Sequence, residues 1–171
     1  MMENKRKSLS LAVRRNRGSQ ILGGWIAALK EACGFEATPE NFLTLEETEE
    51  LKRKFFERVK SKNNCFHRYW PQEALRDIAS LLKGLGPAAY STTVALFSNV
   101  DKYIGAVSLP AGRVLSNPEA VWKVVDEDLS ITTLDLQHGL CLEYNFYTDG
   151  GEYIREGFYE LTAWGVFVPE R

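Results

Sequence analysis

A chain of 171 residues that is 44% hydrophobic and 26% charged, with six prolines, has the composition of a single globular domain able to bury a core. It is not the composition of a disordered chain, a collagen-like fibre or a coiled coil, and three cysteines (Cys33, Cys65, Cys141) are too few for a disulfide scaffold. No apolar run approaches the roughly 18 residues of a membrane span. The basic N-terminus also lacks the apolar stretch of a secretory signal, so a cytoplasmic location is expected.

The net charge of −2 conceals an asymmetry. Residues 1–70 carry 14 Lys+Arg against 9 Asp+Glu, a balance of +5, whereas residues 71–171 carry 7 against 14, a balance of −7. The excess of positive charge sits in residues 1–17, which hold Lys5, Arg6, Lys7, Arg14, Arg15 and Arg17 and few large apolar side chains. The reading is a flexible basic arm over 1–17 followed by one acidic domain over 18–171. An acidic body is a poor grip for nucleic acid, where phosphate neutralisation dominates affinity, and a good one for a basic protein.

Along the body, Ser19 is placed to cap a helix running to about Cys33, on which Leu22, Trp25, Ile26, Leu29 and Cys33 form one apolar stripe before Gly34. Thr44 and Glu47 make a capping box in front of a helix over about 45–61. Its buried face is Leu51, Phe55, Phe56 and Val59, and its solvent face offers the four-residue pairs Glu49–Arg53 and Glu50–Lys54. Pro71 opens a third helix with Leu75, Ile78, Leu82 and Leu85 inward, ended by Gly84, Gly86 and Pro87.

From Ser91 the period shortens to two. Strands are expected near 92–97, over Tyr103–Leu109 after a turn at 99–102, and over Ser130–Leu136, Leu140–Thr148 and Tyr153–Trp164. Between the second and third of these, Asn117-Pro118-Glu119 reads as the start of a short helix over Ala120–Val125, although Val121, Trp122, Val124 and Val125 also suit a strand. Asp149-Gly150-Gly151 is a tight-turn signal. Helices first and strands after give an α+β fold: N-terminal helices packed on a C-terminal antiparallel β-sheet, a meander of about five strands, with the helices on one face and the other face open.

Candidate chemistry is sparse. Cys65-x-His67 and His138-x-x-Cys141 together hold a Cys₂His₂ ligand set, but neither spacing is that of a zinc knuckle, and buried cysteines with a turn histidine are the ordinary reading. His67-Arg68-Tyr69-Trp70 mixes groups that can serve phosphoryl transfer or base stacking. The plainer reading packs Phe66, Tyr69 and Trp70 against the sheet and leaves His67 and Arg68 at the surface. There is no Gly-x-Ser-x-Gly elbow, no phosphate-binding glycine loop and no deaminase pattern. The expectation is therefore a non-enzyme with no catalytic residue, no metal and no cofactor.

What the C-terminal half does offer is negative charge interleaved with aromatics. Asp126, Glu127, Asp128, Asp135, Glu143, Asp149, Glu152, Glu156 and Glu160 lie beside Trp122, Tyr144, Tyr147, Tyr153 and Tyr159. Alternate polar residues also suit a sheet face that simply meets water. As a binding surface, however, acidic groups flanking aromatic anchors suit a basic cleft, with carboxylates taking the places of phosphates. The candidate partner-binding residues are Asp126, Glu127, Asp128, Asp135, Glu143, Tyr147, Glu152, Tyr153, Glu156 and Glu160.

In general form, helices followed by an acidic, aromatic meander ending in Tyr159-x-Leu161-x-x-Trp164-Gly165, the chain resembles over residues 90–165 the immunity proteins of bacterial polymorphic-toxin and contact-dependent growth inhibition systems. That group is structurally diverse, and the resemblance assigns no individual residue. What it implies is a cytoplasmic bacterial protein that binds a cognate toxin, often a basic nuclease, and blocks it. The alternatives are a regulatory or adaptor domain with another protein partner, and an RNA-binding protein that uses the basic N-terminal arm.

Overall fold

The structure is a computed structural model describing residues 2–126, 128–146, 148–149, 152–153 and 157–170, with the backbone alone for 2–9, 148–149 and 152–153. Its strands, in chain order, are β1 (Phe66–Pro71), β2 (Thr93–Leu96), β3 (Val107–Pro110), β4 (Leu129–Thr132), β5 (Gly139–Asn145), β6 (Thr148–Asp149), β7 (Glu152–Tyr153) and β8 (Phe158–Trp164). Strands β6 and β7 pair as a hairpin of their own. The other six form one sheet in the order β1-β8-β5-β4-β2-β3, antiparallel at every junction. The helices are α1 (Met2–Cys33), α2 (Leu45–Ser61), α3 (Leu75–Lys83), α4 (Pro87–Ser91), α5 (Asp101–Ile104), α6 (Ala111–Ser116) and α7 (Pro118–Val125). The α+β class read from the sequence is the class observed. The sheet has one strand more than expected, because Phe66–Pro71 joins it as an edge strand against β8.

Strand alternation sorts the sheet into two faces. On one, Val94, Leu96, Val107, Leu109, Leu129, Ile131, Leu140, Leu142, Leu161 and Ala163 are buried against Trp25 and Leu29 of α1, Ile78 and Leu82 of α3, Val114 and Leu115 of α6, and Val121 and Val125 of α7. The other face is not left open, as the sequence reading had it. Helix α2 lies on it, with Leu51, Phe55 and Val59 packed on Ala95, Phe97, Ala106, Cys141 and Trp164. The Phe55 ring is fully buried, 5.3 Å from that of Phe97 and 5.5 Å from that of Trp164. A helix is about 10 Å wide, and six strands at their usual spacing span about 24 Å. One helix therefore cannot cover this face, and part of it stays outside the core.

Local chemistry explains where elements begin. Helix α2 starts as its capping box requires: the Glu47 amide donates to Thr44 Oγ1 at 3.1 Å, and the Thr44 amide donates to Glu47 Oε2 at 2.9 Å. Its surface pairs are partly rearranged. Glu50 holds Lys54 and also Arg53, Arg53 reaches on to Glu57, and Glu49 turns to Arg14 of α1 at 2.6 Å. Helix α1 begins at Met2 instead of Ser19, so residues 10–17, read as part of a flexible arm, continue it. Tertiary contacts supply what local composition does not. Arg14 Nε donates to the Lys102 carbonyl at 2.6 Å, Arg17 lies over the Tyr103 ring, and Gly18 sits so close to the Tyr103 carbonyl that a Cβ would collide with it.

The expected strand from Tyr103 begins later, at Val107. Residues 101–104 form a single helical turn, held by the buried Asp101 carboxylate, which meets Lys52 Nζ at 2.9 Å and the Ser98 amide at 3.3 Å. Asn117-Pro118 opens α7 as read, whereas β4 stops at Thr132 and residues 133–138 turn into β5. Among the described residues no helix is long and apolar enough to cross a membrane.

Candidate functional site

Beyond the reach of α2 its face of the sheet turns polar. Helix α2 ends on Lys62, and both Lys62 and Asn64 adopt left-handed backbone angles (φ 53°), which swing the chain straight into β1. The alternation of β1 then sends Phe66, Arg68 and Trp70 to the apolar face and His67 and Tyr69 to the α2 face. Strand register assembles two polar rungs there. One runs Ser130, Cys141, Thr162, His67 across β4, β5, β8 and β1; the next runs Glu143, Glu160, Tyr69 across β5, β8 and β1. Asp128 stands just before β4, beside the Glu143 end of that second rung.

The Glu160 carboxylate is the centre of the second rung. Its Oε1 accepts from Lys62 Nζ at 2.6 Å and lies 2.5 Å from His67 Nε2. Burial pushes this carboxyl up, but the hydrogen bonds from Lys62 and His67 outweigh it and hold Glu160 below the usual carboxylate range. The same bond holds the Lys62 ammonium above its ordinary value. Tyr69, 54% exposed, packs edge-on to His67 (ring centroids 4.6 Å) and to Phe158 (5.6 Å), with its hydroxyl 3.4 Å from Lys62 Nζ.

Glu143 is the unbalanced member. It is directly opposite Glu160, and like charges so placed repel. Its carboxyl is pushed up to about 7, first by burial and then by the negative charges of Asp128 and Glu160, with Lys62 opposing. Behind it, Cys141 is fully buried, 3.2 Å from Ser130 Oγ, and its thiol is driven well above its ordinary value by burial and then by Glu143. Such a thiol is a packing group, not a nucleophile. The Thr162 hydroxyl between His67 and Cys141 is buried with no hydrogen-bond partner. The arrangement is one that can receive positive charge.

The ligand set weighed for zinc does not come together. His67 faces Glu160, Cys141 pairs with Ser130, the Cys65 thiol points to the Asn63 carbonyl, and His138 Nδ1 accepts the Val166 amide at 3.2 Å. Among the described residues no three His, Cys, Asp or Glu side chains are placed to hold a metal ion.

Of the candidate partner-binding residues, Asp128, Glu143 and Glu160 share this end of the sheet. Asp126 is exposed nearby, closing α7 in a left-handed conformation and accepting from Asn99 Nδ2 at 2.9 Å. Asp135 lies apart, in the β4–β5 turn at the far end of those strands. Glu127, Tyr147 and Glu156 fall outside the described residues, as do the side chains of Asp149, Glu152 and Tyr153. Tyr144, Tyr159 and Trp122 cluster on the opposite face, with ring centroids 4.8 Å and 5.5 Å apart. Sequence reasoning did not foresee Lys62, or His67 and Tyr69 in this role. The available signal was the short aromatic-rich run Phe66–Trp70 after the Asn63-Asn64 turn.

Neither a curated protein nor a solved structure matches the chain. A family profile does: the one described as YxiF protein matches residues 29–153, from within α1 to the end of β7, a region that contains α2, Lys62, His67 and Glu143. On that match, which takes in most of the sheet and both helical layers, the chain belongs to the YxiF family.

Proposed function

We propose that this protein is an immunity protein of the toxin-inhibitor kind: in the bacterial cytoplasm it binds a cognate toxin, a nuclease by class, and occludes its basic cleft. The observation that carries this reading is the alignment of Asp128, Glu143 and Glu160 at one end of the sheet, on the part of the face that α2 leaves uncovered. A self-repelling pair such as Glu143–Glu160 is disfavoured in the free protein, and a cationic partner relieves it. The exposed ring of Tyr69, on the same face, supplies the apolar anchor that an acidic patch alone lacks. The turning of Arg14, Arg15 and Arg17 toward Glu49, Glu46 and Tyr103 supports a protein partner over an RNA-binding arm.

The test is capture of the partner on the tagged full chain in its source cell, followed by a nuclease assay of that partner with and without added chain. Stoichiometric loss of nuclease activity is the expected result. A captured protein whose activity is unaffected, or recovery of RNA and no protein, would overturn the proposal.

A further inference from the structure

At the other end of the same face, the β4–β5 turn is built more rigidly than its connecting role requires. Leu136 takes a left-handed backbone (φ 59°), a conformation costly for a large apolar residue. It is held there by its own carbonyl, which accepts from Arg58 Nη1 at 2.7 Å and Trp164 Nε1 at 3.0 Å. Asp135 Oδ1 braces the turn from within, accepting from Thr133 Oγ1 at 2.6 Å and the Gln137 amide at 3.0 Å. The result is that Leu134 is presented to solvent, 62% exposed, at the tip of a fixed turn.

Leu134 and Leu136 form one wall of a groove of about 480 Å³, and Leu43 and Leu51 form the other. The rim is anionic: Glu47, Glu50 and Asp135 surround it, with Lys54 the only cation among its lining residues and already bonded to Glu50 at 3.1 Å. Hydrogen bonds hold all three carboxyls below the usual range, so the rim keeps its charge well into acid.

We infer that this leucine groove is a docking site for a cationic amphipathic segment of a protein partner, which seats an apolar side chain between Leu134 and Leu51 and places Lys or Arg over Glu47 and Asp135. Charge complementarity selects the occupant: Glu50 is already matched by Arg53 and Lys54, but a second copy of this chain would bring its own acidic rim, and a neutral apolar segment would leave the charges of Glu47 and Asp135 unmatched. The inference rests on the reading of the protein as a binder of a basic partner and names the segment that such a partner must offer.

The experiment titrates the ¹⁵N-labelled full chain with an amphipathic helical peptide that has one leucine face and one lysine face. Two controls replace its lysines by glutamate or its leucines by serine. The Leu/Lys peptide should move the amides of Leu43, Leu51 and residues 134–136, and neither control should. Leu134→Asp, and in parallel Leu134→Ser, should weaken binding at least about tenfold. Leu134 is largely exposed, so both variants should fold, with circular dichroism as the check. Equal binding of either control, shifts scattered over the chain, or unchanged affinity of both variants would overturn the groove. Those failures leave the nuclease assay untouched, and a partner whose nuclease activity is unaffected would sink the inhibitor reading without altering the peptide titration.

Discussion

The two faces of the sheet are made by the same strands and differ in nearly everything else. Under α1, α3, α6 and α7 the strands β2, β3, β4, β5 and β8 each contribute buried apolar side chains, from Val107 and Leu109 to Leu161 and Ala163. Under α2 the apolar surface ends where Leu51, Phe55 and Val59 end, and the next rungs hold His67, Thr162, Glu143 and Glu160. The first face is what stability selects. The second opposes two glutamates across β5 and β8 and leaves a buried threonine hydroxyl without a partner, neither of which a solvated sheet face requires. The contrast separates the surface that the core requires from a polar end of the sheet that it does not.

The largest expected effect comes from breaking the apolar clamp on the second face. Phe55→Ala removes a fully buried ring wedged between Phe97 and Trp164 and should cost about 3–5 kcal/mol in urea unfolding, as a large-to-small core change does. A loss under about 1 kcal/mol would mean that α2 is not what closes this face.

A smaller effect is expected at the polar rung. Lys62→Met removes one of the two bonds to Glu160 and should cost only about 1 kcal/mol, because the lysine is substantially exposed. It should also let burial raise the Glu160 carboxyl, read from its carboxyl carbon shift against pH. A Glu160 titration unchanged by the substitution would remove Lys62 from the cluster.

The remaining effect is a matter of pH. The folded Glu143 carboxyl is raised to about 7 from an ordinary value of 4.5, so the folded state keeps a proton that the unfolded chain releases. The stability this contributes is present below about 4.5 and is lost as pH rises to about 7. Glu143→Gln should therefore match the parent at pH 4 and exceed it in melting temperature at pH 8. Equal melting temperatures at both ends would show that Glu143 carries no repulsion.

How much of this was legible in the sequence follows the range of the interactions involved. Helix α2 was readable because its capping box and apolar stripe are local, and the β5 and β8 patterns were readable because alternation needs only neighbours. Strand β1 was not: Phe66–Pro71 is short, and its place was decided by pairing with β8, which brings His67 to Glu160 across 93 positions. Glu143 and Glu160 could be named as surface acids, but their opposition is a property of register. Composition likewise could not show what residues 10–17 touch, because the groups that meet Arg14 and Arg17 come from α2 and the 102–103 region. For the same reason Asp135, grouped with the other acids by composition, proved to belong to the opposite end of the sheet.

The central claim, that the uncovered end of the α2 face is a binding surface for a basic protein, is tested most directly by the association rate of the captured partner with the parent and with the Asp126→Lys, Asp128→Lys double variant. Measured across a range of salt concentrations, the parent should associate fast and slow as salt rises. The double variant should associate at least about tenfold more slowly at low salt and lose or reverse that salt dependence. Identical rates and identical salt slopes would contradict the account and move the interface away from this end of the sheet.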